Sequence, residues 1–98
     1  MTEEGKLRKK VIDFYKNNPD VLIIPKHQDM FTSQTGVSDL LLCVAGQFVA
    51  IELKVGKNQP TELQKRFIKQ VGKAGGVGSV CRSLEEVQNI LQFVIYNI

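Results

Sequence analysis

The sequence predicts an α/β fold, one mixed four-stranded sheet flanked by helices in the order α-β-β-β-α-β-α. Three observations predict it. Apolar residues recur at helical spacing in three segments, each opened by a capping residue. Four short runs, β-branched or almost continuously apolar, lie between and beside them. Breakers at Asn17-Asn18-Pro19-Asp20, Gly56 to Pro60 and Gly75-Gly76 separate the elements. The 98 residues are of a length for a single domain, 1–98.

Thr2 caps a first helix running to about Asn17, with Leu7, Val11, Phe14 and Tyr15 as its buried face. Val21 to Pro25 is rich in β-branched residues and reads as a strand. Lys26 to Gly36 is polar, has no clear period and reads as a loop; its histidine, His27, is a loop or edge residue. Two central strands follow, Ser38–Val44 and Gln47–Val55, apolar enough to be covered on both faces. Thr61 starts a second helix to about Lys73, with Leu63, Phe67, Ile68 and Val71 inward, and Gly75-Gly76 stops it. Val77 to Arg82 is the fourth strand, reached by a right-handed crossover and parallel to the third. Ser83-Leu84-Glu85-Glu86 matches a capping box. It opens a last helix with Leu84, Val87, Ile90, Leu91 and Val94 inward.

An apolar fraction of 43% is that of a globular protein and excludes disorder. The net charge of +3 is modest but unevenly spread. Lys6, Arg8, Lys9, Lys10 and Lys16 crowd the first helix; Lys65, Arg66, Lys69 and Lys73 crowd the second. Such runs are either solvated helix faces or surfaces that meet phosphates. Cys43 and Cys81 sit in predicted strands and read as reduced packing residues, and two separated cysteines with one histidine make no zinc pattern. No charged-then-apolar leader opens the chain, and its longest apolar run, Leu40 to Ala45, is too short to span a bilayer. An intracellular, cytosolic protein without a membrane partner is expected.

The residues out of keeping with their surroundings are Asp39, Glu52 and Lys54. With Ala45-Gly46 as a two-residue turn, Val44 faces Gln47, and the same register sets Asp39 opposite Glu52, Cβ atoms about 5 Å apart. Alanine suits such a turn poorly, and a three-residue turn would shift the register by one. Two opposed carboxylates weaken a sheet unless a cation joins them. Lys54 leaves the same face of its strand as Glu52. Hard oxygen donors of this kind suit Mg²⁺ or Mn²⁺, which activates phosphate esters toward water, and Lys54 can orient that water or stabilise developing charge. The competing reading is a Glu52–Lys54 surface ion pair at a strand end, with Asp39 as a turn acid.

Gly36-x-x-Asp39, twelve intervening residues and then Ile51-Glu52-Leu53-Lys54 resemble the nuclease motif written PD-(D/E)XK. Thr61-x-x-Gln64 and the leading helix narrow the resemblance to the virus-type replication-repair nuclease (VRR-Nuc) family, over roughly Glu4 to Gln92. Ser38 stands where the motif name has proline. The resemblance implies a restriction-endonuclease-like fold and a Mg²⁺- or Mn²⁺-dependent endonuclease. It implies Asp39, Glu52 and the backbone carbonyl of Leu53 as metal ligands, Lys54 as the catalytic lysine, Gln64 as the motif glutamine and Glu4, in preference to Glu3, as the helix acid. Gln64 also completes a capping box with Thr61, and Glu4 also suits a helix dipole.

Rival chemistries lack their parts: Gly75-Gly76-Val77-Gly78 precedes a strand and carries no P-loop lysine, and there is no nucleophile elbow or zinc-ligand helix. The implied partner is DNA, held through its phosphates by Lys9, Lys10, Lys57, Lys65 and Lys69 and recognised by shape. Stand-alone domains of this family resemble Holliday-junction resolvases, which implies branched DNA and a homodimer, with the apolar tail Phe93–Ile98 at the interface or in the core. The alternatives are a non-catalytic DNA-binding or replication accessory domain and a nuclease acting on linear duplex.

Overall fold

The computed structural model describes residues 1–25 and 36–97. Its elements follow the expected order: α1 (Glu3–Tyr15), β1 (Val21–Ile24), β2 (Leu40–Val44), β3 (Gln47–Leu53), α2 (Glu62–Lys73), β4 (Val77–Cys81) and α3 (Leu84–Tyr96). The predicted loop from Lys26, His27 included, lies outside the described residues as far as residue 35. The four strands form one sheet in the order β1-β2-β3-β4. β1, β2 and β3 are antiparallel neighbours, and β4 joins β3 in parallel, as a crossover through a helix requires.

Each helix starts where its first free N–H groups find an acceptor. Thr2 Oγ1 accepts from Gly5 N at 3.0 Å. Thr61 and Gln64 form the reciprocal capping box. Ser83 Oγ accepts from Glu86 N at 3.1 Å, but Glu86 Oε1 takes the N–H of Arg82, not that of Ser83. The predicted box at α3 is therefore displaced by one residue. α2 ends in a Schellman motif: Gly75 has φ +95°, Gly76 N donates to Val71 O and Gly75 N to Gly72 O.

α1 and α3 lie on one face of the sheet. Leu7, Val11, Tyr15, Val87, Leu91 and Val94 pack there against Leu42, Val44, Val49, Ile51 and Leu53. α2 covers part of the other face, where Val71 and Phe67 meet Leu41 and Ala50. Two expected core residues are exposed. Phe14 is 55% exposed and rests edge-on against Tyr15. Leu63 is 43% exposed because α2 meets the sheet through its later turns. The second face is also less covered than continuous apolar strands suggest. Leu22, Cys43 and Phe48 form one cross-strand row, and both Leu22 and Phe48 are exposed. Both thiols are free; Cys81 is buried, which pushes its pKa up to about 11, and Cys43 is half-buried. The C-terminal tail divides: Val94 is buried, whereas Phe93 and Tyr96 are exposed.

Candidate active site

The site is built on the β2–β3 hairpin. Ala45 and Gly46 have φ of +50° and +85°, the left-handed pair of a two-residue turn whose twist matches the strands. Alanine accepts the strain there, and the register is the one the sequence predicts, from Val44↔Gln47 to Leu40↔Ile51. One position further along stand Asp39 and Glu52. Main-chain pairing ends there, and the Asp39 side chain replaces it: Oδ2 accepts the Leu53 N–H at 2.9 Å. This bond reaches across the strand interval and fixes the carboxylate beside β3.

Glu52 is 1% exposed. Its Oε2 lies 3.4 Å from Lys54 Nζ, and its Oε1 has no hydrogen-bond partner. Burial, and after it the neighbouring Asp39 carboxylate, push the Glu52 pKa up to about 7, while Lys54 pulls it down. The Glu52–Lys54 ion pair of the competing reading therefore exists, but it is buried, with the Lys54 side chain only 11% exposed. A buried pair with a second carboxylate against it and one oxygen unsatisfied is a costly arrangement for a merely structural element.

The donor set fits a hard divalent cation: two adjacent carboxylates, one presenting a buried oxygen with no other use. Among the described residues no three His, Cys, Asp or Glu side chains converge, so an ion here would complete its shell from main-chain and water oxygens. Glu4 is accordingly not a third carboxylate of this group. It accepts from Asn58 Nδ2 at 3.4 Å, on the loop that follows β3. The Gln64 side chain closes its capping box, Oε1 taking the Thr61 N–H at 2.9 Å. The backbone of Gln64 lies beside the start of β2. Gly36 has φ +71°, and a Cβ there would stand 2.3 Å from Leu63 O and 2.8 Å from Gln64 N. Glycine is required on both counts, and the contact ties the approach to Asp39 to the first turn of α2.

The five lysines expected to contact phosphate, Lys9, Lys10, Lys57, Lys65 and Lys69, are all at the surface. Lys9 pairs with Asp13 at 2.9 Å and Lys65 with Glu62 at 3.3 Å, each within its own helix. Lys10, Lys57 and Lys69 enter no ion pair among the described residues. Two residues at the site's margin carry no sequence signal. Asn58 reaches α1 through Glu4, and Arg82 donates from Nη1 to Gly56 O at 3.0 Å. Neither bond belongs to a pattern of spacing.

No protein-family model and no curated protein matches the sequence. Solved structures do match the fold. One described as a VRR_NUC domain protein is 21% identical, with a TM-score of 0.71 over 94% of this chain and 87% of its own. Another, described as a VRR_NUC domain, is also 21% identical, with a TM-score of 0.73 over 94% of this chain and 97% of its own. The four-stranded mixed sheet, its three helices and their order are thus those of the VRR_NUC fold, over nearly the whole chain.

Proposed function

We propose that the protein is a metal-dependent endonuclease that hydrolyses phosphodiester bonds in DNA, with branched DNA such as four-way junctions as its substrate. The observation that carries this reading is the half-buried Asp39 beside the buried Glu52, with Glu52 Oε1 unsatisfied and Lys54 alongside. Asp39, Glu52 and the Leu53 carbonyl would hold Mg²⁺ or Mn²⁺. The ion would supply Lewis acidity toward the scissile phosphate and the attacking water. The remaining work falls to side chains. Asp39 is oriented by Leu53 N, which holds its carboxylate in a fixed place. Lys54, held by Glu52, donates to the attacking water or to the charge that develops on phosphate. Gln64 keeps its amide NH₂ for substrate while its oxygen caps α2. Glu4 acts through Asn58 on the loop that borders the site.

Lys9, Lys10, Lys57, Lys65 and Lys69 are the proposed phosphate contacts. They are exposed cations with no base-reading element among them, so recognition rests on DNA shape. Exposed Phe93 and Tyr96 on α3 support a homodimer, whose two-fold axis would suit a four-way junction.

The test is cleavage of a labelled four-way junction and of a linear duplex, with and without Mg²⁺, by the intact chain and by Asp39→Asn and Lys54→Ala. Mg²⁺-dependent cutting of the junction, lost in both variants, is expected. No cleavage by the intact chain, or cleavage indifferent to both substitutions, would refute the enzyme reading. Equal cutting of the linear duplex would refute the branched substrate. Light scattering at micromolar concentration checks the dimer.

A further inference from the structure

We propose that Arg82 is a positioning residue for DNA binding: it anchors the loop after β3 so that Lys57 meets a backbone phosphate beside the carboxylate pair. The inference rests on the DNA-binding part of the proposed function and on none of its cleavage chemistry.

The loop runs from Lys54 to Pro60, between β3, which ends at Leu53, and the cap of α2. Its start is bound to β4, since Lys54 N donates to Cys81 O at 3.1 Å. One residue beyond the end of β4, Arg82 Nη1 donates to Gly56 O at 3.0 Å. Gly56 has φ +59°, a conformation that turns the chain and that L side chains rarely adopt. Asn58 N then donates to Val55 O at 3.2 Å, and its side chain reaches Glu4. The loop is therefore bound on both sides of Lys57, to Arg82 before it and to α1 after it.

Lys57 itself is exposed and enters no ion pair among the described residues, unlike Lys9 and Lys65. Its ammonium group is free for a phosphate three residues from Lys54. Arg82 is held from behind: its own N–H donates to Glu86 Oε1 at 2.8 Å, in the first turn of α3. Its guanidinium is directed at a main-chain carbonyl. A cation on a loop already ordered loses less freedom on binding than one on a free loop, so the tether acts on affinity through Lys57.

The experiment is anisotropy of a labelled four-way junction with metal chelated, so that no strand is cut. It is titrated in salt for the intact chain, Lys57→Ala, Arg82→Ala and the double variant. Each single change is expected to weaken binding roughly fivefold and to reduce the salt slope by about one. The double variant is expected to do no more than either single one. Arg82→Lys, which keeps a donor for Gly56 O, is expected to bind as the intact chain does. The proposal is overturned if the two changes add in full, lowering the slope by about two, or if Arg82→Ala binds normally. It is overturned equally if the intact chain does not bind the junction. Should Arg82→Ala fail to fold by circular dichroism, Arg82→Met, which keeps the apolar stem and removes the donor to Gly56 O, is judged by the same additivity with Lys57→Ala. Binding without Mg²⁺-dependent cleavage would refute the nuclease reading and leave this one standing.

Discussion

Glu52→Gln removes an ionisable proton from a side chain that is 1% exposed and stands against a second carboxylate. The glutamate titrates near 4.5 in an unfolded chain and at about 7 in the folded one, raised by burial and by Asp39. The sign follows from which state holds the proton. Below pH 4.5 both states hold it and the folded chain carries no penalty. Between 4.5 and about 7 the unfolded chain releases it first, so metal-free stability falls as pH rises; above 7 both are ionised and the loss is complete. A displacement of this size corresponds to on the order of 2 kcal/mol, after a discount for the nearby Lys54 and for water that reaches the pair. Glu52→Gln should abolish this decline. At pH 8, without metal, it should raise the melting temperature by roughly 10 °C for a chain of this length. With Glu52 as a donor to the proposed ion, cleavage should fall by roughly a thousandfold. The assay is a set of thermal melts in chelator from pH 4 to pH 9, intact chain against variant. Parallel pH profiles would refute the reasoning, since the decline would then come from other groups. A variant less stable than the intact chain at pH 8 would show that Glu52 is well satisfied where it stands.

Asp39→Ala strips the Leu53 N–H of its acceptor at the end of the hairpin ladder, at a cost of about 1–2 kcal/mol, whereas Asp39→Asn keeps an acceptor. Urea melts at pH 5, where Glu52 still holds its proton, should separate the two variants, and equal midpoints would contradict the bond. Ala45→Asn places a preferred residue at φ +50° in a two-residue turn and should stabilise the chain by about 1 kcal/mol, seen as a higher urea midpoint with an unchanged slope.

The hairpin was legible because its register follows from a two-residue turn, and that turn survives an alanine in a left-handed conformation. Side-chain alternation then placed Glu52 and Lys54 together without reference to the rest of the fold. Helix starts were legible from Thr2, Thr61 and Ser83, whose hydroxyls each accept the expected N–H. Coverage was less legible. Helical spacing gives the direction of Phe14 and Leu63 but not the extent of the surface opposite them. The apolar run in β3 likewise does not reveal that α2 leaves Phe48 open. Local spacing also cannot announce a bond between a side chain and a distant carbonyl. Arg82 reaches Gly56 across 26 positions, and Asn58 reaches Glu4 across 54. The metal-ligand and lysine roles rested on motif resemblance together with geometry, as did the choice of Glu4. Its place on the first turn of α1 was legible, but its present partner is a loop amide.

The two carboxylates lie thirteen positions apart in the chain, at the open end of a hairpin closed by two residues. Closing so short a loop costs little chain entropy, and hairpins of this kind zip within microseconds. β4 comes later, because its parallel pairing requires the chain to traverse α2 first. A folding chain above pH 7 therefore brings two anions together early, before the strand that completes their surroundings has docked. The bond from Arg82 to Gly56 spans 26 positions and needs the end of β4 in place. The repulsion within the site is thus a burden on the order of folding events as well as on the finished fold.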